Sequence, residues 1–189
     1  MNLERADEAK IIERVLGGDA NSFNLLVWQW EKPIYNYILR MVRNPDDALD
    51  LCQESFMKAF RELGTLKDPG RFSPWLYRIA HNVCYSRFRK DQGKTFVELD
   101  AHVGATRMPL ENRLAVEKAL GMLPDDQKEV VVLKVYQGLK FDEIAAIQKA
   151  PVSTVKSRLY MGFDKLKSVL GGEDLQSDGR ASGSASNSN

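Results

Sequence analysis

Three observations predict an all-α chain of two small helical domains joined by a flexible linker. Apolar residues recur at helical spacing along most of the length, no segment alternates convincingly as a strand, and an aperiodic stretch divides the chain. The expected units are a first helical domain over 1–92, a linker over 93–109, a second domain over 110–170, and a polar, low-complexity tail over 171–189 that should be disordered.

The elements follow in order. Residues 11–16 are helical and stop at Gly17-Gly18, after which Asp19 or Asn21 can start a helix carrying Phe23, Leu26, Val27 and Trp30. Pro33 restarts or kinks that helix, and Ile34, Tyr35, Ile38, Leu39 and Val42 continue the pattern. Asn44-Pro45-Asp46-Asp47 is a strong start signal: an N-cap, a proline tolerated in the first turn, and carboxylates at the positive end of the helix dipole. The helix it opens should reach Leu63 and bury Leu49, Cys52, Phe56, Phe60 and Leu63. Residues 64–73 form a turn-rich loop, and Pro74 or Trp75 opens the next helix, through Leu76, Ile79, Ala80 and Val83.

The second domain ends in GLKFDEIAAIQKAPVSTVKSRLYMGFDKL, the pattern of a helix-turn-helix. Phe141, Ile144, Ala145 and Ile147 give its first helix an apolar stripe, Lys149-Ala150-Pro151 breaks it, and Ser153 suits the N-cap of the second. At about 100° per residue, Val155, Leu159, Phe163, Leu166 and Leu170 fall on one side of that second helix, with Gly162 near them to allow close approach. Ser153, Ser157, Tyr160 and Met161 fall opposite, flanked by Thr154 and Lys156 on one edge and Arg158 on the other. Such a small, hydroxyl-rich face edged by cations suits entry into a DNA groove; an ordinary helical hairpin with a solvated face reads the same way.

With 189 residues and 43% hydrophobic content the chain can build real cores, and no apolar run approaches membrane-spanning length, so no membrane insertion is expected. The charged, amphipathic N-terminus has no signal-peptide character, and Cys52 and Cys84 are too few for a disulfide framework, which points to the cytoplasm. A net charge of +1 excludes a surface that binds nucleic acid all over, but the distribution is uneven. Residues 72–90 carry Arg78, Arg87, Arg89 and Lys90 and no acid, the helix-turn-helix is also basic, and Asp46, Asp47, Asp50 and Glu54 cluster together. That pattern suggests DNA at two places and a protein partner at a third. His81 and His102 are isolated and neither cysteine has ligand spacing; with no nucleotide-binding glycine loop or nucleophile triad, no metal, cofactor or catalytic centre is expected.

Asp50, Gln53, Glu54, Met57 and Arg61 share a helix face that would clasp arginines of a partner, or else is simply solvated. Between 71 and 90, Phe72, Trp75, Tyr77, Tyr85 and Phe88 interleave with Arg71, Arg78, Arg87, Arg89 and Lys90, a combination suited to unstacked bases and phosphates. Trp75, Ile79 and Val83 lie a turn apart, however, so they also read as core, leaving Arg78, Asn82, Ser86 and Arg89 accessible. The loop before them is placed to wall a pocket for one extruded base.

In this order, ALDLCQESFMKAF, FSPWLYRIAHNVCYSRFRK, ALGMLPDDQKEVVVLKVYQGLKFDEIAA and PVSTVKSRL resemble the extracytoplasmic-function (ECF) sigma factors of bacterial RNA polymerase, over about 19–170. The resemblance implies a non-catalytic initiation factor whose region 2-like domain binds core polymerase and opens the promoter, and whose region 4-like helix-turn-helix reads the upstream element. The D-x-x-Q-E-x-F signature falls on Asp50, Gln53, Glu54 and Phe56, and implies a polymerase-binding face made with Met57. The W-L-x-x-I-A-x-N signature falls on Trp75, Leu76, Ile79, Ala80 and Asn82, implying minus-ten recognition with Lys67, Arg71, Phe72, Arg78, Ser86, Arg87, Arg89 and Lys90. The T-V-K-S-R-L signature covers 154–159 and implies minus-thirty-five contacts from Ser153, Thr154, Lys156, Ser157, Arg158 and Tyr160. The implied partners are core RNA polymerase at its clamp and flap regions, promoter DNA, and an anti-sigma factor.

This chain departs from the usual pattern at Leu49, where an acid is common, at Ser86, where aspartate is frequent, and at Lys149-Ala150, where glycine is frequent. Residues 160–163 lack the arginines often found there, so fewer phosphate contacts and a modest salt dependence are expected upstream. Two other classes compete: a free-standing activator that recruits polymerase without replacing sigma, which would need no strand-opening helix, and more distantly a nuclease.

Overall fold

The structure, a computed structural model, describes residues 5–90 and 109–177. The 91–108 stretch, with most of the expected linker and His102, and the 178–189 part of the tail lie outside the described residues. The described residues are helical, without a strand among them.

The first domain opens with α1 (Arg5–Leu16), whose Ile11 and Ile12 are buried. It stops at Gly17-Gly18, where Gly18 has φ +105°, a backbone region that favours glycine. Asp19 then caps a short 3-10 turn by accepting from the Ser22 amide and hydroxyl. Helix α2 (Phe23–Val42) continues through Pro33 instead of restarting there. It ends at Arg43, which takes a left-handed conformation at φ 56°.

Asn44 behaves as expected: its side chain accepts from the amides of Asp46 and Asp47 at 2.9 and 3.0 Å and starts α3 (Pro45–Glu62) with Pro45 in the first turn. The buried face of α3 differs from the expected stripe. Leu49 and Phe60 are 49% and 44% exposed, while Ala48, Leu51, Ser55 and Ala59 are buried with Cys52 and Phe56. Helix α3 is wedged between α2 and a following helix, so its interior arc is wide and favours small residues where backbones approach. Two 3-10 turns, Leu63–Thr65 and Pro69–Arg71, take up half of the expected loop, and α4 (Phe72–Lys90) begins two residues earlier than its proline suggested.

The second domain comprises α5 (Leu110–Gly121), α6 (Asp125–Val131) continued by a π-helical turn over Val132–Tyr136, α7 (Phe141–Gln148) and α8 (Val152–Ser177). The break between α7 and α8 centres on Lys149, left-handed at φ 52°. Because α8 already starts at Val152, Ser153 lies inside its first turn and is not the N-cap. Val155 and Leu159 are buried and Gly162 is too, its backbone so close to α6 that an added Cβ would lie 3.1 Å from Val131 Cγ2. Phe163, expected inside, is 42% exposed, while Gly162 before it is buried and Leu166 after it packs against the core. The helix continues past Leu170, through the start of the expected tail, to Ser177.

The two domains meet along a seam. Helix α4 contacts α3 on one side and α7 on the other, and α2 contacts α6 and the π turn. That double coverage explains why α4 buries Phe72, Leu76, Tyr77, Ile79, Ala80, Val83 and Cys84, more than a single stripe would hold.

Candidate nucleic-acid interface

Helix α4 carries the densest candidate site. Arg71 and Arg78 are exposed, Asn82 and Ser86 half-buried, and Arg89 exposed with its guanidinium 3.4 Å from the Ser86 hydroxyl. Trp75 is only 6% exposed and Phe72 is wholly in the core, its ring edge-to-face with Trp30 and tilted against Trp75. Phe72 therefore presents no surface to a nucleotide here and instead props Trp75. Arg87 pairs with Asp47 at 2.7 Å and ties α4 to α3. Lys90 closes α4, its side chain being outside the described residues.

Beside Trp75 opens a groove of about 320 Å³, lined by Lys67, Asp68, Arg71, Pro74 and Arg78 and walled opposite by Asp142, Glu143 and Ala146 of α7. Three cations, an indole edge and turn backbone from the loop before α4 thus converge on one space. The arrangement can hold phosphates and a flat base together. Arg71 and Asp142 face each other across it at 3.8 Å, both exposed.

On α3, Asp50, Gln53, Glu54 and Met57 are all exposed, three or four residues apart, so they form one ridge with Met57 60% exposed at its end. Exposed Leu49 adjoins it. A ridge of two carboxylates and an amide around an apolar tip suits a protein surface rich in arginine.

On α8, Ser153, Lys156, Ser157 and Tyr160 are exposed and Thr154 is half-buried, as the helical phase requires. Arg158 is placed differently from a free reader. Its Nε lies 2.8 Å from Asp126 Oδ2 and its Nη1 donates to Gln148 Oε1 at 2.9 Å, so it fastens α8 to α6 and α7.

The sequence reading missed the most densely bonded group, Glu129 of α6, which is fully buried. Tyr37 donates to it at 2.5 Å, His81 Nδ1 lies at 2.7 Å, Gln148 donates at 2.9 Å and Tyr85 at 3.4 Å. Burial, and then the Glu129 charge, hold the Tyr37 and Tyr85 phenols well above their ordinary range. Nearby, Arg40 pairs with Glu117 at 2.9 Å and lies over the Tyr136 ring, Tyr77 donates to Gln137 at 2.6 Å, and Lys128 donates to the Met41 carbonyl at 3.3 Å. Burial pushes the Glu117 carboxyl up, and Arg40 draws it only partly back. Every one of these bonds except that from Gln148 joins the first domain to the second. A carboxylate at the head of the run EVVVL was a signal that it must find partners when buried; sequence spacing could not say which.

No grouping of His, Cys, Asp and Glu among the described residues could hold a metal, and no helix among them is long and apolar enough to cross a membrane.

Residues 26–94 match Sigma-70 region 2, and residues 113–166 match Sigma-70, region 4. The chain is 31% identical over 185 residues to the RNA polymerase sigma-H factor of Pseudomonas aeruginosa, an alignment covering 89% of this chain and 96% of that protein. The chain belongs to the ECF sigma factors. The ECF RNA polymerase sigma factor SigW of Bacillus subtilis is 32% identical to it, with 85% and 95% covered. Two solved structures are similar in fold at 24% identity. One is the sigma factor RpoE of Bartonella quintana in complex with the anti-sigma factor NepR, with a TM-score of 0.68 and 79% and 96% covered. The other is CnrH in complex with the cytosolic domain of CnrY, with a TM-score of 0.67 and 87% and 97% covered. As an ECF sigma factor the chain is a promoter-specific transcription initiation factor, with α2–α4 in its region 2 and α5–α8 carrying its region 4.

Proposed function

We propose that this sigma factor grips core RNA polymerase with the α3 ridge, takes the unpaired minus-ten strand along α4, and reads the minus-thirty-five element with α8. The observation that carries this is the groove at Trp75, where Lys67, Arg71 and Arg78 surround an indole wall. Cations there follow the strand's phosphates while the wall and the preceding turn receive an extruded base, which favours the opened duplex over the closed one. Asp50 and Glu54 accept from guanidinium groups of the polymerase clamp, Met57 fills an apolar hollow beside them, and the flap region meets the second domain. Ser153, Thr154, Lys156, Ser157 and Tyr160 line the groove-facing side of α8, and Arg158 fixes the angle at which that side is offered. The protein supplies no bond-making chemistry of its own. An anti-sigma factor, by analogy with the partners of the similar RpoE and CnrH structures, is the regulator we assign to it.

Reconstitution with core polymerase tests the reading. Asp50→Ala with Glu54→Ala should weaken holoenzyme assembly while helical content is unchanged. Arg71→Ala with Arg78→Ala should leave assembly intact and reduce promoter opening, read by permanganate reactivity of unpaired thymines. Normal opening by the second variant would remove the strand role from α4.

A further inference from the structure

The outward face of α8 carries little charge. Residues 152–162 include two cations, Lys156 and Arg158, and both lean on the rest of the helix-turn-helix. Arg158 binds Asp126 and Gln148, and the Lys156 ammonium stands 5.5 Å from the centre of the Phe141 ring. The face presents apolar groups instead. Tyr160 is 64% exposed and Met161 55%, and by helical phase they flank the exposed Ser157, one turn before them. The Ser157 hydroxyl donates to the Met161 sulfur at 3.8 Å and holds the thioether along the helix surface.

Each base edge in the major groove asks for its own chemistry. Guanine's paired acceptors take a bidentate arginine or lysine, adenine an amide and cytosine a carboxylate, whereas thymine alone carries a methyl group. Residues 153–161 include no amide or carboxylate side chain, and their two cations are held at the edges of the face. A phenol ring and a thioether match the methyl. The unbranched, polarizable methionine adjusts its reach to a methyl group, and the tyrosine supplies a rigid apolar edge.

We propose that Met161 and Tyr160 are specificity-determining residues of the upstream reader: they cover thymine methyl groups on either side of the position met by Ser157. The upstream element is then read mainly through A·T pairs and not through guanine edges. This rests on the reading of α8 as the helix that enters the upstream groove.

Holoenzyme is first used to select promoters from a pool randomised over the upstream element. Each thymine of the selected element is then replaced by deoxyuridine, which lacks only the methyl group. At one or more positions the replacement should weaken holoenzyme binding about three- to fourfold, as expected for one buried methyl. In holoenzyme carrying Met161→Ala or Tyr160→Ala the same replacement should cost less than about 1.5-fold. Met161→Arg should shift the selected base at its position toward guanine. Indifference of the unaltered holoenzyme to every deoxyuridine, or an undiminished penalty in both alanine variants, would overturn the proposal. So would weaker assembly of both alanine variants with core polymerase, which would assign the pair to a polymerase contact. Ser157→Glu sets a carboxylate in the middle of the face and separates the two readings. An upstream preference that this variant abolishes but deoxyuridine leaves untouched keeps α8 as the reader and removes the methyl contacts. An upstream preference that survives Ser157→Glu removes the reading role from α8 itself.

Discussion

The Tyr37 hydroxyl and the Glu129 carboxylate, 92 residues apart in sequence, meet at 2.5 Å in the buried seam between the two domains. Neither has access to water that could replace the other. Tyr37→Phe keeps the ring packing against Tyr77 and removes only the donor. It should therefore cost about 1–3 kcal/mol, the penalty for a buried acceptor losing a partner, measured by urea denaturation. A loss below about 0.5 kcal/mol would mean the bond contributes nothing net.

The Asn44 side chain accepts from the first two free amides of α3. Asn44→Ala should lower stability by about 1 kcal/mol, seen as a fall in thermal midpoint, and Asn44→Gly by only a few tenths.

Gly162 sits where α8 crosses Val131. Gly162→Ala gains about 1 kcal/mol in helix propensity but places its methyl 3.1 Å from Val131 Cγ2, so the two effects should nearly cancel. Gly162→Val has no such compensation and should destabilise by about 1–3 kcal/mol, read by denaturant midpoint.

Both thiols are buried, and burial raises Cys52 to about 12 and Cys84 higher still. The thiolate is the reactive form, so the native protein at pH 8 should react with iodoacetamide at least about 100-fold more slowly than the urea-unfolded chain. Comparable rates would show that the seam or the α2–α3 contact opens freely.

Arg158 separates two roles. If it fixes α8 on α6 and α7, Asp126→Ala should weaken protection of the upstream element by holoenzyme, as Arg158→Ala should. If it reads DNA directly, Asp126→Ala should free it and leave footprinting unchanged or stronger. The contacts to Asp126 and Gln148 favour the first outcome.

Local chemistry was legible in the chain and long-range chemistry was not. Asn44-Pro45 and Gly17-Gly18 announce their structure because capping and left-handed turns involve only neighbours. The exposed sides of α3 and α8 also emerge from helical phase, as Met57, Ser157 and Tyr160 demonstrate. Phase failed on α3, which is covered from two directions, so that Leu49 and Phe60 lie outside and Ser55 inside, and it failed for Phe163 on α8. Ser153 was misplaced by two residues, within the ordinary fraying of a helix start. Glu129 and His81 were beyond reach, since their partners are 48 and 92 residues away and no spacing rule joins them.

The wide turn over Val132–Tyr136 closes with the Gln137 amide on the Val132 carbonyl, five residues back, at 3.2 Å. It carries one residue more than a regular helix would fit into that arc. Excising one of these five would return the arc to ordinary winding, with the chain beyond it leaving in nearly the same direction. The rod thus has one residue to spare at this point, and a relative with regular winding here should be one residue shorter between α6 and α7.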